Sequence, residues 1–358
     1  ASFERIPPGD RVRLAKKTSN LFRPRDGAQT AGLDVSGLDG VIAIDTDAQT
    51  ADVQGVCTYE DLVAETLPHG FMPYVVPQLK TITLGGAVTG LGIESTSFRH
   101  GLPHESVLEL DILTGSGEIV TATPDGEHSD LFDAFPNSYG SLGYATRLKI
   151  KLEKVPAFVN LRHVRAADAA SAVKTIESIA ETGEWDGVRV DGLDGTAFSP
   201  DEIYLTLAEF TDTQQPTSDY TGQQIYYRSI QQRETDTLTI HDYIWRWDTD
   251  WFWCSGAFGA QVPAVRRCWP RRWRRSDVSP RIVGLENRFG VWERLERLRG
   301  FDPAERVIQD VEIPVDRTAD FLRWFDDTIG MRPVWLCPVR LREAGTAEGR
   351  PWPLYPLT

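Results

Sequence analysis

The chain has 358 residues, 41% of them hydrophobic, with a formal net charge of −14. That length and apolar content suit two domains of ordinary size better than one core, and the acidic balance opposes general nucleic-acid binding, for which no recognition motif is present. Cys57, Cys254, Cys268 and Cys337 stand far apart in no ligand spacing, which excludes a disulfide framework and a metal site as expectations and reads as buried thiols in a reducing cytosol.

The N-terminal ASFERIPPGDRV lacks an apolar signal core, and no run approaches the roughly 20 apolar residues of a membrane span. A soluble or peripheral protein is expected. RLAKKTSNLFR, residues 13 to 23, places Lys16 and Lys17 before Thr18, Ser19 and Asn20. Cations followed by short polar donors suit a phosphate; a solvated basic turn has the same composition. GVIAIDTDAQTADVQG then alternates apolar and polar residues around an Asp-Thr-Asp turn, predicting two short strands. TYEDLVAETLPHG predicts a helix capped by Thr58, with Asp61 in its first turn and Gly70 as its stop.

Residues 81 to 97 read TITLGGAVTGLGIESTS. Gly85, Gly86, Gly90 and Gly92 lie among Thr83, Thr89, Ser95, Thr96 and Ser97, so the backbone can approach an anion closely and offer it amide and hydroxyl donors. The spacing GGxxxGxG is neither the P-loop GxxxxGK[ST] nor the GxGxxG of a Rossmann unit. Glycines serving only turns and packing are the plain alternative, which the density of hydroxyls disfavours. LELDILTGSGEIVTAT alternates on both sides of Gly115-Ser116-Gly117 and predicts a hairpin.

A domain boundary is expected near Val155-Pro156, dividing residues 1–155 from 156–358. Beyond it ADAASAVKTIESIAETG and Ala319 to Ile329 predict helices, and LRHVRAA, EIYLTLAEF, RVIQDVEIPV and RPVWLCPVRL predict strands. Residues 241 to 278 concentrate Trp245, Trp247, Trp251, Trp253, Trp269 and Trp273, with six arginines between Arg266 and Arg275. Such residues line apolar pockets or meet anionic lipid. They also serve core packing and ion pairs with carboxylates.

The run from Pro77 through Gly143, with TxGGxxxGxGIES, GEIV and SDLFDAFPNSYGSLGY, resembles the FAD-binding PCMH-type (vanillyl-alcohol oxidase) flavoproteins. Within them it is most similar to the 24-dehydrocholesterol reductase branch and its actinobacterial methylene-fatty-acyl reductase-like members. The resemblance implies an α+β chain: a two-subdomain FAD-binding domain, then an antiparallel-sheet substrate or cap domain with covering helices. It implies that Lys16, Lys17, Thr18, Ser19, Asn20, Thr81, Thr83, Gly85, Gly86, Thr89, Gly92, Ile93, Ser95, Thr96, Ser97 and Ile119 bind FAD. Thr18 stands where relatives carry a histidine that bonds to the ring, so the FAD is expected to be non-covalent. Members usually continue past the segment matching RPWPLYPLT, with a further strand and helix.

The implied activity is an FAD-dependent oxidoreductase, with NADPH as electron donor, that reduces a C=C bond of a lipid, either a methylene-branched fatty acyl chain or a sterol side chain. Hydride would come from reduced flavin and a proton from a general acid. Candidate acids are His241, Tyr243, Glu209 and Glu312. The arginines of 266–275 would then meet an anionic membrane surface, consistent with a cytoplasmic protein peripheral on the inner face of the membrane. The alternatives are an alcohol or sugar oxidase or dehydrogenase of the same fold and a non-catalytic flavin-fold protein that binds lipid or membrane.

Overall fold

Two antiparallel sheets carry the chain, joined where one long strand ends and the next begins. The structure is a computed structural model and describes residues 2–7, 9–10, 12–16, 32–222, 224–250, 256, 261–278, 294, 297, 310–342 and 352. Near the start, β1 (Arg13–Leu14) and β2 (Gly32–Leu33) form a short parallel pair. The expected hairpin follows as β3 (Val41–Asp45) and β4 (Thr50–Gln54). Helix α1 (Tyr59–Thr66) begins at Thr58, whose hydroxyl accepts from the Asp61 amide at 3.2 Å, and the segment stops at Gly70 with φ of +77°. This left-handed position is one that glycine occupies without strain.

The remainder of this region comprises β5 (Phe71–Pro73), α2 (Leu84–Thr89), α3 (Ser97–His100), β6 (Val107–Leu113), β7 (Ile119–Ala122), α4 (Ser129–Ala134) and β8 (Tyr144–Lys154). The strands run in the order β3-β4-β8-β6-β7, with β5 paired to β8. Alternation along β8 buries Leu148, Ile150 and Leu152, which share a core with Leu62 and Val63 of α1 and with Leu84, Ala87 and Val88 of α2. The period-2 pattern of the strand and the apolar stripe of each helix meet in that layer.

Three residues past β8 the second sheet opens with β9 (Phe158–Ala166), followed by α5 (Ala169–Thr182). A small hairpin, β10 (Glu184–Trp185) with β11 (Val188–Arg189), turns through Asp186 and Gly187, both at positive φ, as a two-residue turn matched to strand twist demands. Then come β12 (Gly192–Ser199), β13 (Glu202–Thr211), α6 (Tyr226–Ile230), β14 (Thr235–Thr239), α7 (Ile240–Ile244), α8 (Pro263–Cys268), α9 (Thr318–Thr328) and β15 (Val334–Leu336). The order is β14-β9-β13-β12-β15. One face of this sheet packs Leu193, Ala197, Ile203, Leu205 and Leu207 under α5 and Leu322 of α9. Its other face, with Val159, Leu161 and Ala208, joins the core of the first sheet.

The architecture is therefore α+β, a sheet-and-helix first part followed by a sheet covered by helices. Two expected strands differ. Residues 310 to 314 of RVIQDVEIPV are coil, so Glu312 stands on no strand, while 306 to 309 lie outside the described residues; RPVWLCPVRL yields only β15. Pro333 and Pro338 flank that short strand, and proline donates no ladder hydrogen bond.

Candidate functional site

The glycine-rich segment is not a loop throughout. Gly85 and Gly86 form the second and third residues of α2, and their roles are opposite. A Cβ on buried Gly85 would stand 2.6 Å from the Gly55 carbonyl oxygen, so this glycine lets two backbones touch. One on Gly92 would meet Pro77 and Pro103 at 2.9 Å. Gly86 is exposed, and a Cβ there would meet only the Thr83 hydroxyl. Across that face Lys16 donates from Nζ to Thr83 Oγ1 at 2.9 Å, bringing the first polar segment to the start of α2. Thr81 is half-buried beside it, and Thr89 Oγ1 donates to the Gly85 carbonyl. Lys17, Thr18, Ser19 and Asn20 lie outside the described residues.

The hydroxyls that follow turn inward. Ser95, Thr96 and Ser97 are all buried; Thr96 Oγ1 donates to the Tyr74 carbonyl, and Ser97 Oγ accepts from the Glu94 amide. Ser95 Oγ lies 2.5 Å from the Tyr243 hydroxyl, and its carbonyl accepts from Leu193 of β12. Burial raises the Tyr243 pKa well above the ordinary tyrosine value, so the phenol keeps its proton. The approach depends on Gly192, where a Cβ would stand 2.2 Å from the Tyr243 oxygen. Ile93 packs with Leu102, whereas Ile119 is 61% exposed at the hairpin.

Beside this hydroxyl pair sits an ion cluster that the sequence did not announce. Arg246, its side chain fully buried, donates from Nη2 to Glu94 Oε1 at 2.6 Å and to Asp194 Oδ2 at 2.9 Å. Its Nη1 donates to the Tyr243 carbonyl, its guanidinium lies 4.2 Å from the Tyr243 ring centroid, and Trp335 Nε1 also donates to Asp194. Two carboxylates share one cation in a dry site, and burial outweighs Arg246 to push Glu94 above the usual carboxylate range. The only sequence signal was one arginine between two tryptophans, IWRWD. A second seam lies close by: Lys80 Nζ stands over the Trp245 ring at 5.5 Å and 3.5 Å from Glu60, which Arg275 grips with both terminal nitrogens.

Of the four candidate acids, Tyr243 reaches the glycine-rich segment directly. His241 is exposed beside Asp242, Glu209 accepts from Asn160 Nδ2 on β9, and Glu312 is exposed. In the aromatic stretch Trp245 and Trp247 are fully buried core residues, and Trp251 and Trp253 lie outside the described residues. Arg266 and Arg274 are buried and donate to backbone carbonyls, Arg275 is taken by Glu60, and Arg267 and Arg272 are exposed. Trp273, 44% exposed, stacks edge-on with Trp269. Among the described residues no group of three or more His, Cys, Asp or Glu could hold a metal, and no helix is long and apolar enough to cross a membrane.

A cation and a hydroxyl over an exposed glycine suit the phosphates of a dinucleotide, because an amide backbone without a side chain admits close approach. Fold and segment agree with an FAD-binding domain: residues 9–123 match the FAD binding domain family. Beyond that domain the chain is similar to PCMH-type FAD flavoproteins, among them sterol reductases. It is 24% identical to Delta(24)-sterol reductase of Arabidopsis thaliana over 86% of the chain and 56% of that protein. To the Homo sapiens Delta(24)-sterol reductase it is 27% identical over 84% and 58% respectively. To cytokinin dehydrogenase 2 of Oryza sativa subsp. japonica it is 33% identical, over 38% of the chain and 24% of that protein. The chain thus spans a little over half the length of the sterol reductases it matches.

Proposed function

We propose that the chain is the FAD-binding and substrate-facing part of an oxidoreductase that reduces a C=C bond of a lipid, a sterol side chain or a methylene-branched acyl chain, with NADPH as electron donor. The observation that carries this reading is the extended likeness to sterol reductases, running through both sheets, combined with the Lys16–Thr83 contact over Gly86. The domain match alone would serve a dehydrogenase equally well; the cytokinin dehydrogenase likeness covers 38% of the chain, against 84–86% for the sterol reductases.

Lys16, Thr81, Thr83, Gly86 and Thr89 would hold the phosphates and Ser95 the polar edge of the cofactor's other end, with no covalent bond. When bound, FAD supplies hydride transfer to and from carbon. This chain's contribution is positioning and proton supply. The Tyr243 phenol, kept protonated by burial and aligned by Ser95, is the group that would deliver a proton to substrate carbon. Arg267, Arg272 and Trp273, with exposed Val262 and Val265, form the surface that would rest on anionic lipid.

The test is anaerobic. NADPH should bleach the visible flavin absorbance of the loaded protein, and addition of a methylene-branched lipid or a sterol alkene should restore it. Bleaching by a simple alcohol without NADPH, and no recovery with any alkene, would instead assign the oxidase or dehydrogenase reading.

A further inference from the structure

A cleft of about 630 Å³ opens between α6 and α8, away from the glycine-rich segment, and its chemistry runs against that of the whole chain. Among the described residues four arginines line it, Arg228, Arg233, Arg266 and Arg267, and no carboxylate does, although acidic residues outnumber basic ones by 52 to 38 in the sequence. Neutral polar side chains complete the wall, Gln261 and Ser229 among them. Of the four arginines, Arg233 is ion-paired with Asp236, which also accepts from Ser218 and Tyr220, while Asp219 accepts from Thr221.

Two of the cations, Arg266 and Arg228, are held by neutral acceptors. Arg266 is 5% exposed and is fixed by the Gln224 carbonyl at 3.1 Å. Burial lowers its pKa, Asp250 partly restores it, and the positive charges of Arg274 and Arg228 depress it further, so a negative charge would relieve the site. Arg228 donates to Gln261 Oε1 at 3.0 Å, a neutral acceptor. Among the described residues neither Arg228 nor Arg267 has an ion-pair partner. The floor beneath is rigid, since Tyr220 packs edge-on against Tyr226 and Tyr226 against Trp247.

We propose that this cleft binds a phosphate monoester carried on a larger body. Guanidinium groups with amide and hydroxyl donors match phosphate oxygens in geometry as well as charge, and the volume exceeds what a bare phosphate fills. The phosphate comes either from a soluble ester or from a lipid headgroup, and the two sources are separable.

The experiment uses FAD-loaded protein at low salt, as wild type, as the double variant Arg228→Ala with Arg267→Ala, and as Arg317→Ser, an exposed arginine outside both the cleft and the surface assigned to lipid. Glycerol 3-phosphate is titrated by calorimetry, and binding to vesicles is measured with phosphatidate in phosphatidylcholine against phosphatidylcholine alone. Saturable binding of glycerol 3-phosphate, weakened about tenfold or more in the double variant and unchanged in Arg317→Ser, supports a soluble ester. Phosphatidate-dependent vesicle binding with the same variant pattern, and no binding of glycerol 3-phosphate, supports a lipid headgroup. Equal binding by wild type and double variant, or no preference for either phosphate probe over chloride and phosphatidylcholine, overturns the proposal. As both substituted side chains are exposed, the variant should fold, and its melting temperature should match wild type without ligand but fail to rise with it.

Discussion

The glycine-rich stretch from Thr81 to Gly101 and the Trp/Arg-rich stretch from His241 to Val278 look like opposites in composition. One offers backbone, the other large side chains. In the structure they face each other: Ser95 meets Tyr243, Glu94 meets Arg246, and Lys80, just upstream, meets Trp245 and Asp248. Among the described residues Tyr243, Trp245 and Arg246 of the second stretch are thus directed at the first or its edge, while Arg267, Arg272 and Trp273 are among those that face outward. The lesson is that a surface inferred from composition has to be counted after the internal partners are removed.

The sharpest way to break this pairing is Arg246→Ala. It would leave Glu94 and Asp194 buried without their cation, and a loss of about 3–5 kcal/mol is expected, read as a fall in melting temperature. Adding Glu94→Gln to that variant should recover part of it. An Arg246→Ala protein as stable as wild type would show that the two stretches merely lie near one another.

A pH titration probes the sheet behind the aromatic stretch. His163, hydrogen-bonded to Thr206, has its pKa lowered by burial to about 4 from an ordinary 6.5. The neutral ring is the folded form. Its contribution is therefore complete above the unfolded value and is lost as pH falls from 6.5 to about 4, on the order of 3 kcal/mol in all. Replacing His163 with Asn should flatten stability against pH in that window; His104, lowered by burial to about 3, would leave a residual slope.

Within the glycine-rich stretch, Gly85→Ala and Gly86→Ala separate packing from ligand approach. The first forces a Cβ onto the Gly55 carbonyl and should cost about 1–3 kcal/mol. The second sits on an exposed helical position, so stability should hold while flavin retention weakens. Equal effects on both properties would erase the distinction. Two arginines of the 266–275 segment close the series, the exposed one with the smallest effect. Arg274→Ser, which removes donors to buried carbonyls, should destabilise by about 1–3 kcal/mol, and Arg272→Ser should stay within about 0.5 kcal/mol by chemical denaturation.

What the sequence disclosed was local. The Thr58 cap, the Gly70 stop, both hairpins of the first sheet and helices α5 and α9 follow from short-range pattern, and the structure shows each. The Glu94–Arg246 contact spans 152 positions and has no periodic trace. Gly85 and Gly86 are indistinguishable on paper, since only the Gly55 backbone tells them apart. The arginines of 266–275 read as a cationic patch because the carbonyls that occupy Arg266 and Arg274 belong to every residue and leave no mark in composition. The β15 strand fell short of the expected span because prolines bracket it.

Gly192 has a bearing on how this chain could change over generations. Its hydrogen is all that separates β12 from the Tyr243 oxygen. A side chain at that position and a hydroxyl on the facing ring are mutually exclusive, so drift at either site is conditional on the other. Relatives with alanine where Gly192 stands should carry phenylalanine, or a smaller residue, where Tyr243 stands, and an aligned set containing both the alanine and the tyrosine would show that the two positions vary independently.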